Sequence, residues 1–207
     1  MGLTPGATEA WRAGRDRYLV WVLRVSAKAV LARAAEVAAR LGDAVVAVPA
    51  RDAHVTLWVC GFPAARPRRN DDVAQEVVRE QRRRMAGQGG TRLTVGAPNA
   101  FATCAFLEVD DELGELAALR ERLHVPGARE IRFSPYLPHV TVGRFVDSRP
   151  VAPLAATIAE LRRGPQAAPL AITDAALTLF ELDPRAPERL KAVWPPERAG
   201  DGSSGQG

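Results

Sequence analysis

Two stretches organise the chain: His54-Val55-Thr56-Leu57-Trp58-Val59-Cys60-Gly61-Phe62 and Pro138-His139-Val140-Thr141-Val142-Gly143-Arg144-Phe145. Each is rich in branched and aromatic residues and reads as a strand entered through a histidine. Side chains at i and i+2 of a strand share a face. His54 therefore shares a face with Thr56, and His139 shares one with Thr141. Val55, Leu57 and Val59 then point the other way, as do Val140 and Val142, toward a helix-covered core. The same parity puts Trp58 on the His54 face, where an aromatic ring packs a groove or stacks on a base.

The repetition is the informative part. The chain has three histidines, His54, His124 and His139, and ten threonines in 207 residues. A given histidine has about a 5% chance of a threonine two places on, so two of three by accident is rarer than about one in a hundred. An imidazole moves protons near neutral pH, and a hydroxyl donates to a non-bridging phosphate oxygen. Two such strands in two similarly patterned halves suit a pseudo-twofold groove, with the imidazoles as an acid–base pair across a phosphodiester. That chemistry needs no metal. His124 follows a predicted helix and reads as a structural residue at its end.

Outward from these strands, elements alternate. A strand is expected over 18–25, then a helix with Ser26 as N-cap and Val30, Ala34, Val37 and Leu41 as its apolar stripe, ended by Gly42. A strand over 44–48 and a loop over 63–69 follow, and Asp71 and Asp72 mark the start of a helix reaching Met85. Its end, Arg79 to Arg84, is basic and reads as a solvated face. Strands over 92–96 and 102–109 precede a helix carrying Leu113, Leu116, Leu119 and Leu123. The strand over 139–146, a helix around Leu154, Ile158 and Leu161, and a strand over 175–182 complete the pattern. Residues 1–16 read as loosely ordered, 17–194 as one bilobal domain and 195–207 as a flexible tail.

A hydrophobic share of 47% and a charged share of 25% exclude wholesale disorder, a collagen-like repeat and a coiled coil. The apolar run over 18–23 is too short to cross a bilayer and is closed by Arg24. No signal peptide or myristoylation pattern is seen, so a cytoplasmic monomer without membrane attachment is expected. The net charge of +4 is carried almost wholly by arginine, since Lys28 and Lys191 are the only lysines. Arginine suits phosphate recognition, a mild pointer to an anionic substrate. Cys60 and Cys104 lack C-x-x-C spacing and read as buried thiols rather than zinc ligands. No cofactor and no metal is expected.

The paired motifs resemble those of the 2H phosphoesterase superfamily, the LigT-like group of 2′-5′ RNA ligases and cyclic phosphodiesterases. The resemblance implies an α+β fold of two pseudo-symmetric lobes, with antiparallel sheets lining a central cleft and helices outside. It implies His54 and His139 as the catalytic pair and Thr56 and Thr141 as phosphate donors. Arg144 matches a basic position of the family; strand parity puts it opposite His139 unless Gly143 marks a bulge. Tyr136, in Phe133-Ser134-Pro135-Tyr136-Leu137-Pro138, is a second residue for stacking on a base. The activity implied is a metal-independent phosphodiesterase that opens 2′,3′-cyclic phosphates on RNA ends or small nucleotides. The alternatives are 2′-5′ RNA ligation by the same groups, and a nucleotide- or RNA-binding module without turnover.

Overall fold

The computed structural model describes residues 5–88, 91–131, 135–146, 151–164, 169–183 and 186–194. Its elements run α1 (Pro5–Arg12), β1 (Tyr18–Arg24), α2 (Lys28–Leu41), β2 (Val45–Ala47), β3 (His54–Ala64), β4 (Asp72–Ala74) and α3 (Gln75–Met85). There follow β5 (Thr91–Ala100), β6 (Cys104–Asp110), α4 (Glu115–Leu123), β7 (His139–Phe145), α5 (Val151–Arg163), β8 (Leu170–Asp183) and β9 (Ala186–Trp194). The class is the expected α+β, and every strand pair but β3–β4 is antiparallel.

One sheet of nine strands carries both halves, in the order β2-β7-β6-β5-β8-β1-β3-β4, with β9 on β8. The β5–β8 pairing joins the halves, and a further contact between β3 and β7 brings their histidine strands together. One face of this sheet is packed by helices. Leu19, Trp21 and Leu23 of β1 and Val55 and Leu57 of β3 meet Val30, Val37 and Leu41 of α2 and Leu116, Leu119 and Leu123 of α4 in a single core. Val20 and Val22 of β1 point to the opposite face, where they join Phe180 of β8. A strand buried on both sides reads as an unbroken apolar run, which is why Tyr18 to Leu23 shows no alternation.

Several boundaries differ from the sequence reading. The N-cap of α2 is Ala27, not Ser26, and no side chain caps it. Asp71 and Asp72 do not start α3; Asp72 opens β4, which pairs in parallel with residues 62–64 of β3, and α3 begins at Gln75. Both carboxylates instead take Arg15, at 2.7 and 2.6 Å. Arg15 also lies over the Phe62 ring at 3.8 Å, and Trp11 of α1 meets Phe62 edge-on. Trp11 and Arg15 thus join this segment to the end of β3. Gly61 is required where β3 meets this strap: its φ is +97°, and a Cβ there would lie 2.3 Å from the Asp71 carbonyl oxygen. Leu113 is exposed ahead of α4 and takes no part in its stripe. The expected C-terminal tail and residues 133–134 lie outside the described residues.

Candidate active site

β3 and β7 pair antiparallel with Val55 opposite Val140, and both valines are fully buried on the helix side. One step to either side, the same register sets His54 across from Thr141 and Thr56 across from His139. The two His-x-Thr segments are therefore related by a local twofold through the valine pair. All four polar side chains lie on the face away from the core, and all four are half-buried.

Each ring is held in the same way. His54 Nδ1 lies 2.6 Å from the carbonyl oxygen of Asp52, and His139 Nδ1 lies 2.8 Å from that of Leu137. A carbonyl only accepts, so Nδ1 carries the hydrogen in both rings and, in the neutral form, Nε2 carries the lone pair. Aromatic neighbours set the ring planes. His54 meets Phe180 edge-on at 5.9 Å, while His139 meets Phe101 edge-on at 5.0 Å and Phe106 at 5.1 Å. Burial lowers the pKa of His54, and the positive charges of His139 and Arg144 lower it further. The Asp52 carbonyl and carboxylate oppose this without reversing it.

Two one-residue irregularities decide the remaining sequence candidates. On β3, Val22 pairs with Thr56 but Trp21 pairs with Trp58, so an extra residue sits between them. Parity flips there. Trp58 turns into the core beside Trp21, 6% exposed, and does not share the His54 face as expected. Carbonyls at this bulge find side-chain partners instead of a strand. The Tyr136 hydroxyl donates to the Thr56 carbonyl at 3.0 Å, and the Arg120 guanidinium donates to that of Leu57. Arg120 is itself paired with Glu130 and lies 3.9 Å over the Tyr136 ring. Tyr136 thus stands beside the first motif with a cation against its ring.

On β7 the second irregularity falls between Thr141 and Gly143, opposite Phe106 and Ala105. It resolves the parity of Arg144. Past the extra residue Arg144 pairs with Cys104, whose face is that of Phe106 and His139, so its exposed guanidinium joins the histidine face. Gly143 makes room for β2, since a Cβ would come within 3.1 Å of the Val46 carbonyl oxygen. Cys104 is half-buried and Cys60 buried, and burial pushes both thiols up, away from reactivity.

Other residues of this face carry no motif. Arg24 ends β1 opposite His54. Glu108 lies opposite His139 and accepts from Asn99 and Arg162, each at 2.6 Å. Phe101 and Phe106 stack at 4.2 Å beside His139. Alternation along 104–108 was the one available signal, because it places Phe106 and Glu108 on one face. Among the described residues no group of three His, Cys, Asp or Glu side chains is arranged to hold a metal ion. No described helix is long and apolar enough to cross a membrane. An apolar cavity lined by Ala34, Ala38, Val45 and Val142 lies between α2 and β7 and brings no titratable group to its walls.

The family model of the 2′-5′ RNA ligase superfamily matches residues 25–183. Among solved structures, TT0787 of Thermus thermophilus aligns with a TM-score of 0.56 at 16% identity, over 85% of this chain and 94% of its own. E. coli LigT complexed with NADP+ gives 0.55 at 19% identity, over 86% and 94%. E. coli LigT complexed with 3′-AMP gives 0.53 at 17%, over the same shares. These identities speak to the fold. No curated protein matches the chain in sequence.

Proposed function

The chain belongs to the 2′-5′ RNA ligase superfamily, the 2H phosphoesterases, and from that footing we propose that it is a metal-independent phosphodiesterase opening 2′,3′-cyclic phosphates. The observation that carries this reading is the mirrored pair: two imidazoles with Nδ1 tied to a carbonyl and the proton-transfer chemistry assigned to Nε2, each across from the other motif's threonine. That E. coli LigT is found with NADP+ and with 3′-AMP supports a nucleotide as the substrate class.

In this mechanism His54 is the base, because its surroundings favour the neutral ring. Its Nε2 takes a proton from water as the water oxygen bonds to phosphorus. The bond from phosphorus to one ribose oxygen breaks, and protonated His139 gives that oxygen its proton from Nε2. Thr56 and Thr141 donate to the non-bridging oxygens, and Arg144 balances their charge. With the 5′-hydroxyl of a second RNA end in place of water, the same groups join RNA ends. That oxygen bonds to phosphorus as His54 takes its proton, and the bond to the ribose 3′-oxygen breaks with a proton from His139, leaving a 2′-5′ linkage. Phosphorus NMR with 2′,3′-cyclic nucleotides, with and without EDTA, tests the proposal. A phosphomonoester signal that grows equally in both is expected. No turnover, or loss in EDTA restored by zinc or manganese, overturns it, and 2′-5′ joining of RNA ends without hydrolysis assigns the site to ligation.

A further inference from the structure

We infer that Phe101 is the stacking platform for the substrate's nucleobase, on the His139 wall of the cleft. This rests on the nucleotide reading above and adds where the nucleoside lies. Phe101 is the one aromatic among the exposed large apolar side chains of the described residues, at 37% exposure. It sits at the tip of the β5–β6 hairpin, where its N–H donates to the Cys104 carbonyl at 2.9 Å. One face of its ring is stacked on buried Phe106, with 25° between the planes, and His139 stands at the flank of this stack, 5.0 Å from Phe101 and 5.1 Å from Phe106. A ring already fixed by a hairpin and a stack loses little freedom when a base is laid on it. Every base has a π-face, so such a platform holds nucleotides without demanding one sequence.

The alternatives around the cleft are occupied. Trp58 and Trp21 are in the core, Phe180 is 4% exposed beneath His54, and Tyr136 carries Arg120 on its ring. Among the described residues the walls are therefore unlike: an exposed aromatic ring is offered beside His139 and none beside His54. With 5.0 Å between the Phe101 and His139 rings, a base on Phe101 keeps its own ribose against His139. That position hands the departing ribose oxygen to His139, in keeping with its role as the acid.

The test compares adenosine 2′,3′-cyclic phosphate with 1-O-methylribose 2′,3′-cyclic phosphate, which has no base. In Phe101→Leu the ratio of the two kcat/KM values is expected to fall about ten- to a hundredfold, the range for removing an aromatic under a base. Phe101→Tyr, which keeps the ring, is expected to restore it to within about threefold. An unchanged ratio, or equal losses on both compounds, overturns the platform. A short RNA ending in the same cyclic phosphate shows the same penalty if the terminal base of RNA is what stacks, whereas a penalty confined to the mononucleotide assigns the platform to free nucleotides. If the wild-type protein turns over none of these, the phosphodiesterase reading fails by itself. Calorimetry then tests the platform separately: 3′-AMP should bind more tightly than ribose 3-phosphate by a margin that Phe101→Leu removes, and equal affinities in the wild type overturn it.

Discussion

Each catalytic candidate has one nitrogen committed to the backbone, so its chemistry falls to the other. Replacing either histidine by alanine is expected to cost on the order of 10²–10⁴ in kcat with circular dichroism unchanged, the range for one proton-transfer group. Near-wild-type rates in either variant refute the pair. The pH profile follows from the direction of the His54 shift. Its folded pKa lies below the ordinary histidine value of about 6.5. The base is therefore ready from below that pH, and the acid limb of kcat/KM should fall below pH 6.5, with the limbs belonging to the coupled pair. Stability has the same sign: the unfolded chain binds the proton first, so the protein loses stability as pH falls from about 6.5 through the lower folded pKa. Thr56→Val and Thr141→Val should cost on the order of a hundredfold in kcat while the bell keeps its place, since each removes a donor to developing charge and no proton carrier. Limbs that move in these variants would put the hydroxyls in the proton relay. The two motifs were legible because identity and spacing suffice to write them. Phe101 and Glu108 were not, because nothing in their own types marks them until the register sets them beside His139.

Strand periodicity reads a ladder well and a bulge not at all. The alternation that put His54 and Thr56 on one face fails one residue later, where the β3 bulge turns Trp58 inward. On β7 a bulge brings Arg144 onto the face that simple parity denies it. No residue type announces the β3 bulge, since Leu57 is an ordinary strand residue, whereas Gly143 beside Val142 is the mark of the one on β7. What holds the β3 bulge is distant in sequence: Arg120 from α4 and Tyr136 ahead of β7 take the carbonyls that the ladder leaves. β9 was missed for a different reason, since Pro187 within it reads as a strand breaker yet is tolerated on a strand paired on one side. The bulge clamp can be weighed. Arg120→Met strands the Leu57 carbonyl and takes from Glu130, whose side chain is 15% exposed, the guanidinium that lies 2.7 Å from it. The expected loss is about 2–4 kcal/mol in urea denaturation. Tyr136→Phe removes one neutral hydrogen bond and should cost about 1 kcal/mol. In Arg120→Met combined with Glu130→Gln, part of the loss should return, because the group that lost the guanidinium is then neutral. A clamp variant with unchanged stability would mean that the bulge is held by the strands alone.

At the scale of the whole molecule, the halves of the sheet meet at the β5–β8 seam and at the Val55–Val140 contact, and the candidate site lies at the second. The far end of β3 is anchored by a part of the chain that the family model does not cover. α1 and Arg15 precede residue 25, where that match begins. No periodicity marks this segment, because what orders it is a single long-range cluster rather than an apolar stripe. Arg15 joins Asp71 and Asp72 while lying on Phe62, and the three charged side chains are 20%, 16% and 5% exposed in turn. Against the cost of burial, the N–H groups of Arg68 and Arg69 and the Arg15 guanidinium hold the Asp72 carboxyl below the ordinary range. Arg15→Ala therefore removes a cation from two largely covered carboxylates, with an expected loss of about 2–4 kcal/mol at pH 7. For a domain of this size that is a fall in Tm of roughly 5–15 °C. The sign with pH is fixed by the direction of the shift. A carboxyl held low contributes its stability above the unfolded value of about 3.9 and loses it as pH falls through the folded one. The gap between wild type and Arg15→Ala should accordingly be full at pH 7 and shrink below about pH 4. Thermal melts of both proteins at pH 7, 5 and 3 check this. A gap that stays constant to pH 3 would show that Arg15 acts through its stacking on Phe62 and not through its charge.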